Sequence, residues 1–282
     1  MRTYKKRDIK EALLKASSLL KEVADRPFLE ASILLCHLLK KDRIYLALNE
    51  DKELKEWDEY FKLVKRREKH EPIEYITNEV SFYSRTFHIE RGVLIPRPET
   101  ELLVDKTYDI IKTLPSSKIN IAEIGVGSGA VSVMLALYEQ KEIFVISTDI
   151  SEKAIECAKI NAEKFGVQNK IKLINTPYLE GIKQNFDIIV SNPPYIKNDF
   201  KVDKNLLYEP KEALFGGEKG DKILKEIVTL AKERTKYLLC EMGYDQKDSM
   251  ESFFKENDIK NYSFYKDLAG FERGFIINFG EK

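Results

Sequence analysis

The 282-residue sequence predicts an α/β protein, a mostly parallel sheet with helices on both faces, preceded by a small helical bundle. Three observations predict it. Apolar residues recur at three- and four-residue spacing through the first 75 positions, which is the signature of amphipathic helices. Period-two alternation replaces that spacing around residues 79–89. From about Ile119, short apolar runs alternate with helical periods, the pattern of parallel strands joined by crossover helices.

In the first segment Ile9, Leu13, Leu14, Ala16, Leu20 and Val23 share a helical face. Pro27 can open a second helix, because its missing N–H costs nothing in a first turn. Phe28, Ala31, Ile33, Leu34, Leu35, Leu38 and Leu39 make that helix very apolar, and Lys40-Lys41-Asp42 ends it. A third amphipathic helix runs from about Asp51 to Lys69, with Leu54, Trp57, Phe61 and Val64 on one face. Residues 79–83 and 85–89 flank a short turn and read as a β-hairpin, with His88 on it as a surface residue. Strands follow at 119–124, 143–148, 171–174, 186–191, 237–241, 262–267 and 273–279. Helices fall at 129–138, 152–165, 219–234 and 245–256. This divides the chain into a helical domain (1–75), a hairpin linker (76–95) and an α/β domain (96–282).

Lys plus Arg and Asp plus Glu both total 47, so the formal net charge is zero. A protein that binds by covering nucleic-acid phosphates needs a cationic excess, so sequence-specific nucleic-acid binding is not expected. The first 75 residues hold 18 basic and 15 acidic side chains. Their basic run, Lys62 and Lys65-Arg66-Arg67, reads as a solvated helix face, with contact to ribosomal RNA or an acidic partner as the alternative. Cys36, Cys157 and Cys240 have no Cys-x-x-Cys spacing and fit buried thiols in a reducing cytosol. No metal pattern is present. The basic N-terminal stretch lacks a following apolar run, so it is not read as a signal peptide, and no segment is apolar enough to span a membrane. A cytoplasmic protein is expected.

Three motifs carry chemistry. Glu123-Ile124-Gly125-Val126-Gly127-Ser128-Gly129 follows a strand and opens a helix. Its glycines permit a tight turn and close approach of a ligand to the main chain. The spacing is GxGxG, not the dinucleotide GxGxxG, and Glu123 suits a cationic ligand such as the amino group and sulfonium of S-adenosylmethionine. Asp149 ends the next strand, 20 residues past Gly129, where an acidic residue hydrogen-bonds ribose hydroxyls. The alternative is a helix N-cap, a role open equally to Ser151. Ser191-Asn192-Pro193-Pro194-Tyr195 follows an apolar strand. Its two prolines fix φ and remove two N–H donors. The carbonyls and the Asn192 amide then form a rigid acceptor pair for a planar –NH2 group, and Tyr195 supplies a ring for that group to lie on.

This combination resembles the S-adenosylmethionine-dependent methyltransferases that act on amino groups of adenine or cytosine, or on a glutamine amide. The resemblance narrows to the HemK/PrmC family through further blocks. These are Leu94-Ile95-Pro96-Arg97-Pro98-Glu99-Thr100-Glu101; Tyr208-Glu209-Pro210 with Ala213-Leu214-Phe215-Gly216-Gly217; Glu241-Met242-Gly243 with Gln246; and Lys266-Asp267-Leu268-Ala269-Gly270 with Arg273. The resemblance covers essentially the whole chain. It implies a class I methyltransferase fold, Rossmann-like with a seven-stranded sheet. It implies methylation of the GGQ glutamine in class 1 peptide-chain release factors, an event of translation termination, with S-adenosylhomocysteine as product. It places Arg97, Glu99 and Glu209 around the substrate cleft and makes the first domain a substrate-recognition module. One block departs. Asn175-Thr176-Pro177-Tyr178-Leu179 has no carboxylate before its aromatic residue, so Tyr178 is the expected adenine contact, with Asn175 or backbone groups supplying polarity.

Methyl transfer from a sulfonium to an amide nitrogen is an in-line displacement whose catalysis is mostly positioning. The Asn192 oxygen and the Pro193 carbonyl are expected to accept both hydrogens of the substrate amide, and Tyr195 to pack on it. A DNA adenine methyltransferase, which would flip its base, also uses Asn-Pro-Pro-Tyr. A methyltransferase for another protein or for ribosomal RNA is a further alternative, and a non-catalytic cofactor-binding module a third. Zero net charge and the lack of a target-recognition insertion weigh against the first. The 208–217 and 266–273 blocks weigh against the second, and the intact 192–195 motif against the third.

Overall fold

The computed structural model describes residues 7–138 and 140–280. Contacts divide the chain into two units. One runs to Glu79 and includes Asp203–Tyr208; the other comprises Val80–Val202 and the chain from Glu209 onward. The sequence boundaries at 75 and 95 lie elsewhere. The hairpin, apart from its first residue, belongs to the second unit, and a six-residue piece from the middle of the sheet domain belongs to the first.

The helical unit holds α1 (Ile9–Leu19), α2 (Pro27–Leu39), α3 (Arg43–Leu48), α4 (Trp57–Glu68) and α5 (Ile73–Thr77). Ile9, Ala12, Leu13, Ala16, Leu34, Leu35, Tyr60 and Val64 form its core. The Tyr60 hydroxyl, buried among them, donates to the Ala31 carbonyl at 2.9 Å. Residues 51–56 are not helical as expected. Leu54 N–H donates to the Arg7 carbonyl and Ile9 N–H to the Lys52 carbonyl, so this stretch pairs with the start of α1. Asp42, expected only to terminate α2, caps α3 by accepting from Tyr45 N–H at 2.8 Å. The basic run is partly internal. Arg67 is buried, paired with Glu30 at 2.6 Å and donating to the Val23 carbonyl, and Arg66 makes two bonds to Glu71. Lys62 and Lys65 are exposed.

The second unit begins with a hairpin, β1 (Glu79–Phe82) and β2 (Arg85–His88). Then follow α6 (Glu101–Thr113), β3 (Lys118–Ile124), α7 (Ala130–Ala136), β4 (Glu142–Asp149), α8 (Glu152–Lys164), β5 (Ile171–Asn175), β6 (Phe186–Ser191), α9 (Lys222–Ala231), β7 (Thr235–Glu241), α10 (Lys247–Glu256), β8 (Tyr262–Lys266) and β9 (Glu272–Asn278). The helix α6 had no place in the sequence reading. The hairpin packs on α8, where Phe87 meets Phe165 at 4.7 Å between ring centres and Asn161 bonds both backbone groups of His88.

Seven strands form one sheet in the order β5-β4-β3-β6-β7-β9-β8. All pairings are parallel except those of β9, which runs against β7 and β8. Strand alternation sends Ala122, Ile124, Ile146, Ile189 and Leu238 to the face covered by Leu224, Ile227, Val228, Met250 and Phe254 of α9 and α10. On the opposite face Glu123 and Ser147 meet Ser132 of α7. Strand order reverses between β3 and β6, and the crevice at such a switch point is where parallel sheets of this kind bind ligands.

Gly129 sets how closely α7 approaches α8. Its φ is +79°, and a Cβ there would sit 3.0 Å from both Cα and Cβ of Ala158. Gly129→Ala is therefore expected to destabilise the protein by roughly 1–3 kcal/mol, read from the urea midpoint. An unchanged midpoint would show that the helix pair can move apart freely.

Candidate functional site

A cavity of about 350 Å³ opens at the carboxyl ends of β3, β4 and β6, a size ordinary for a small-molecule site. The glycine loop forms one wall. Gly125 and Val126 N–H both donate to the Thr148 carbonyl at 2.9 Å, and Gly127 N–H donates to Asp149 Oδ2 at 3.0 Å. The loop is thus pinned to the end of β4. Gly125 and Gly127 have φ of +79° and +52°, and a Cβ on either would meet nothing within 4 Å. Their main chain is open to the cavity, as close approach of a ligand requires.

Asp149 lies on the same wall. Its Oδ1 accepts from Ser151 N–H, while the Ser151 hydroxyl accepts from Ala154 N–H as the N-cap of α8. Ser151 therefore takes the capping role, which leaves the Asp149 carboxylate at the cavity. Burial raises the Asp149 pKa, the bonds from the Gly127 and Ser151 N–H groups oppose that rise, and the Glu212 carboxylate adds to it. Glu212 is a cavity-wall residue that sequence reasoning passed over. It lies between the two halves of the 208–217 block, and only the fold of that loop brings it beside Asp149.

Tyr178 lines the cavity together with Thr176 and Pro177. Its φ is +48°, a conformation held by the Thr148 hydroxyl, which donates to the Tyr178 carbonyl, and by the Tyr178 hydroxyl, which donates to Glu226. Asn175 does not reach the cavity. Its amide donates to the Asp149 carbonyl at 2.9 Å, so it braces the strand end. Val93, Leu94, Ile150 and Ile223 make the remaining wall strongly apolar.

Asn192, Pro193 and Pro194 supply the wall at the end of β6. Asn192 Nδ2 donates to Thr100 Oγ1 at 3.0 Å. Thr100 stands at the N-cap position of α6 but makes no capping bond. Its backbone is already helical, with φ −66° and ψ −17°, at the end of a 3-10 turn over Pro98–Thr100, and its hydroxyl serves Asn192. No donor among the described residues reaches Asn192 Oδ1 or the Pro193 carbonyl. The turn is braced from below. Gln246 accepts from Gly243 N–H and donates to the Tyr195 carbonyl, while Ile196 exchanges backbone bonds with Leu214 and Gly216. A Cβ on Gly216 or Gly220 would collide with the Pro194 or Tyr195 carbonyl, so those glycines are there for close backbone packing.

Several expected site residues fall outside this wall. Glu123 is 3% exposed and faces α7, because strand alternation gives the cavity side to Ile124. Its carboxyl is hydrogen-bonded by Ser132 on the α7 side of the sheet. Gly129 packs on α8 and does not line the cavity. Tyr195 is half-buried against the α9–α10 core and donates to Glu241 Oε1 at 3.1 Å. Arg97 pairs not with Glu99 but with Glu209, at 2.6 Å. The second oxygen of Glu209 accepts from Ile95 N–H, and its side chain is 2% exposed, so Glu209 ties the 95–97 segment down and is not free to touch a substrate. Glu99 faces Arg273 at 3.8 Å, and Arg273 also pairs with Asp267 at 2.7 Å. His88 takes no part in the site. No group of three or more His, Cys, Asp or Glu able to hold a metal occurs among the described residues, and all three cysteines are free thiols.

The family described as PrmC N-terminal domain matches residues 11–77, and the methyltransferase small domain matches residues 102–221. The release factor glutamine methyltransferase of Clostridium acetobutylicum is 37% identical over 277 residues, spanning 94% of this chain and 96% of its own length. The chain belongs to that family. A second member, from Buchnera aphidicola, is 34% identical and is covered over 99% of its length. The bifunctional methyltransferase of Rickettsia conorii is 37% identical over 302 residues, and the chain spans 57% of that longer relative. Among solved structures, the hMettl16 catalytic domain in complex with a MAT2A 3'UTR hairpin aligns with a TM-score of 0.57 over 69% of this chain and 76% of that one. At 15% identity this likeness concerns the fold, a class I methyltransferase sheet. Within the family, the blocks at 208–217 and 241–246 acquire a physical role here, as the parts that hold the 192–195 turn.

Burial pushes the Glu123 carboxyl up to about 8, partly offset by its bond from Ser132. The folded protein thus keeps a proton that the unfolded chain has released above the ordinary carboxylate range. Stability must fall as pH rises through that window, and the loss is complete above the folded value. Glu123→Gln is expected to flatten the dependence by on the order of a few kcal/mol between about pH 5 and about pH 8. Urea unfolding of both proteins across that range is the check; parallel curves would show that Glu123 is ionised throughout.

Proposed function

We propose that this methyltransferase transfers a methyl group from S-adenosylmethionine to the side-chain amide nitrogen of the GGQ glutamine in class 1 peptide-chain release factors. The observation that supports it most is the Asn192 side chain. Its Nδ2 is committed to Thr100, which leaves Oδ1 and the Pro193 carbonyl as two unpaired acceptors on the cavity wall. Two acceptors fixed side by side suit the two hydrogens of a primary amide. The matched relatives named for release factor glutamine methylation, covered over nearly their full length, supply the acceptor.

The cavity fits the cofactor on three counts. The bare main chain at Gly125 and Gly127 leaves space that a Cβ would fill. Asp149 presents a carboxylate able to accept ribose hydroxyls, and Tyr178 with the apolar wall offers a surface for a flat base. The acidic Glu212 on the same wall suits the cofactor's cationic end better than Glu123. When bound, S-adenosylmethionine supplies a methyl group carried on a good sulfur leaving group.

The protein's share is positioning. Asn192 Oδ1 and the Pro193 carbonyl receive the amide hydrogens, hold the nitrogen in one orientation, and stabilise positive charge as it develops there. The Pro193-Pro194 backbone restricts the Pro193 carbonyl, while the bond to Thr100 holds the Asn192 oxygen. Tyr195 anchors the turn through its hydroxyl, so it contributes stiffness more than a stacking surface. Arg97, Glu99 and Glu209 shape the rim from behind through their ion pairs. The helical unit, roughly residues 1–75, serves release-factor recognition, and the enzyme works in the cytoplasm alongside its acceptor. No helix among the described residues is long and apolar enough to cross a membrane.

The test is transfer of tritiated methyl to purified release factor, with unmethylated DNA in parallel. Label is expected on the GGQ peptide only, lost when its glutamine is replaced. Asn192→Ala is expected to lower kcat by about 10²–10³-fold, the range for removing one preorganised polar group from a transition-state site. Asp149→Ala is expected to weaken cofactor binding by roughly 10–100-fold in calorimetry, the worth of hydrogen bonds to a charged group. Label on DNA would move the enzyme to base methylation.

A further inference from the structure

Glu241 ends β7 directly under the Asn192–Tyr195 turn and is 1% exposed. Its Oε1 accepts the Tyr195 hydroxyl at 3.1 Å. Its Oε2 is buried with no hydrogen-bond partner among the described residues. The Thr100 hydroxyl faces the same carboxyl. Thr100 Oγ1 is already the acceptor for Asn192 Nδ2, so its own proton must go elsewhere, and Glu241 is the acceptor beside it. Both polar side chains of the turn are therefore one hydrogen bond or one hydroxyl away from a single carboxyl. The neighbouring strand makes room for the tyrosine that packs beside it. Gly274 stands opposite Glu241 in the β7–β9 pair, and any Cβ there would collide with the Tyr265 hydroxyl, which donates to the Cys240 carbonyl.

A buried carboxylate is costly unless nearby donors turn toward it, and the hydroxyls of Tyr195 and Thr100 are the donors that face this one. We propose that Glu241 is the positioning residue of the turn: ionised, it collects the Thr100 and Tyr195 hydroxyl protons and so holds Asn192 with Oδ1 toward the acceptor amide. This rests on the amide-methyltransferase reading above. Protonated, Glu241 offers its own hydrogen to a hydroxyl oxygen. The Thr100 proton is then displaced from the carboxyl and can turn toward Asn192, where it favours the flipped amide with Oδ1 inward.

The groups facing Glu241 set where that change falls. Burial raises the carboxyl to about 7. The hydroxyls of Thr100 and Tyr195 pull it down, Glu99 pushes it up, and Arg273 pulls it down. Tyr265 on β8 stays neutral, its pKa far above the ordinary value, and burial does the same for the Cys240 thiol. The ionised, positioning form therefore gains population as pH rises through neutrality.

The experiment follows the 15N-labelled Asn192 side-chain amide of the full chain across pH, together with methyl transfer to release factor at saturating cofactor. The amide resonance is expected to move with one midpoint near neutrality, and kcat to rise along the same curve. In Glu241→Gln the resonance should stay flat and kcat fall roughly 10–100-fold, with the KM for cofactor unchanged. Thr100→Val cuts the link while leaving the carboxyl in place. It should remove the rise of kcat through neutrality along with the activity, and a neutral midpoint kept in this variant overturns the proposal if Glu241→Gln does not fold. A resonance that does not titrate in the wild type, or a Glu241→Gln enzyme with wild-type kcat and pH profile, overturns the proposal. A wild type whose Asn192 amide titrates but which labels no release factor refutes the methylation reading and leaves this role of Glu241 standing.

Discussion

The hydrogen bond from Asn192 to Thr100 is the contact on which the site depends. It joins the end of β6 to the first turn of α6, two places 92 positions apart in the chain. It also settles which end of a symmetric-looking amide faces the cavity. With Nδ2 committed, Oδ1 is left outward beside a carbonyl that two prolines keep from finding an amide partner. A 3-10 turn over Pro98–Thr100 leads into α6 and carries the Thr100 hydroxyl to this position. Much of the surrounding chain exists to hold the turn rigid: the Gln246 bridge, the Gly216 and Gly220 contacts, and the Tyr195–Glu241 anchor.

Two fully buried carboxyls flank the sheet at its ligand-binding edge, with different consequences. Glu123 lies under the glycine loop in a small hydroxyl cage of Ser132 and Ser147. Its environment favours the neutral acid, so it acts as a hydrogen-bonded spacer between β3 and α7. Glu241 lies under the 192–195 turn, nearer to charged Arg273 and Glu99, and faces the hydroxyls of Tyr195 and Thr100. The same residue type is a structural post in one place and a source of orientation in the other. The difference lies in whether its hydroxyl partners lead onward to the cavity.

Arg97 and Glu209 show how a motif can matter without touching a ligand. Glu209 closes two bonds to a segment more than a hundred positions earlier, one to the Arg97 side chain and one to the Ile95 N–H. That ties the loop carrying Glu212 to the segment carrying Thr100. Both segments supply cavity or turn residues, so a break in this pair would be felt at the site through displacement and not through lost contact.

By itself the sequence determined the strand–helix alternation, all seven strands of the sheet, the hairpin, and the chemical character of the glycine loop, Asp149 and the 192–195 turn. These are properties of local pattern: apolar period, glycine and proline placement, and a carboxylate at a strand end. The tertiary structure alone decided which side of the sheet each residue serves. Glu123 looked like a ligand contact because it adjoins the loop in sequence, yet the two-residue period of β3 turns it to the far face. The 51–56 stretch carries a helical pattern, but backbone pairing with the start of α1 satisfies its polar groups better. The partners of Arg97, Asn192 and Glu241 come from segments far away in the chain. Hydrogen-bond pairing across such distances has no local signature, so only folding could assign it.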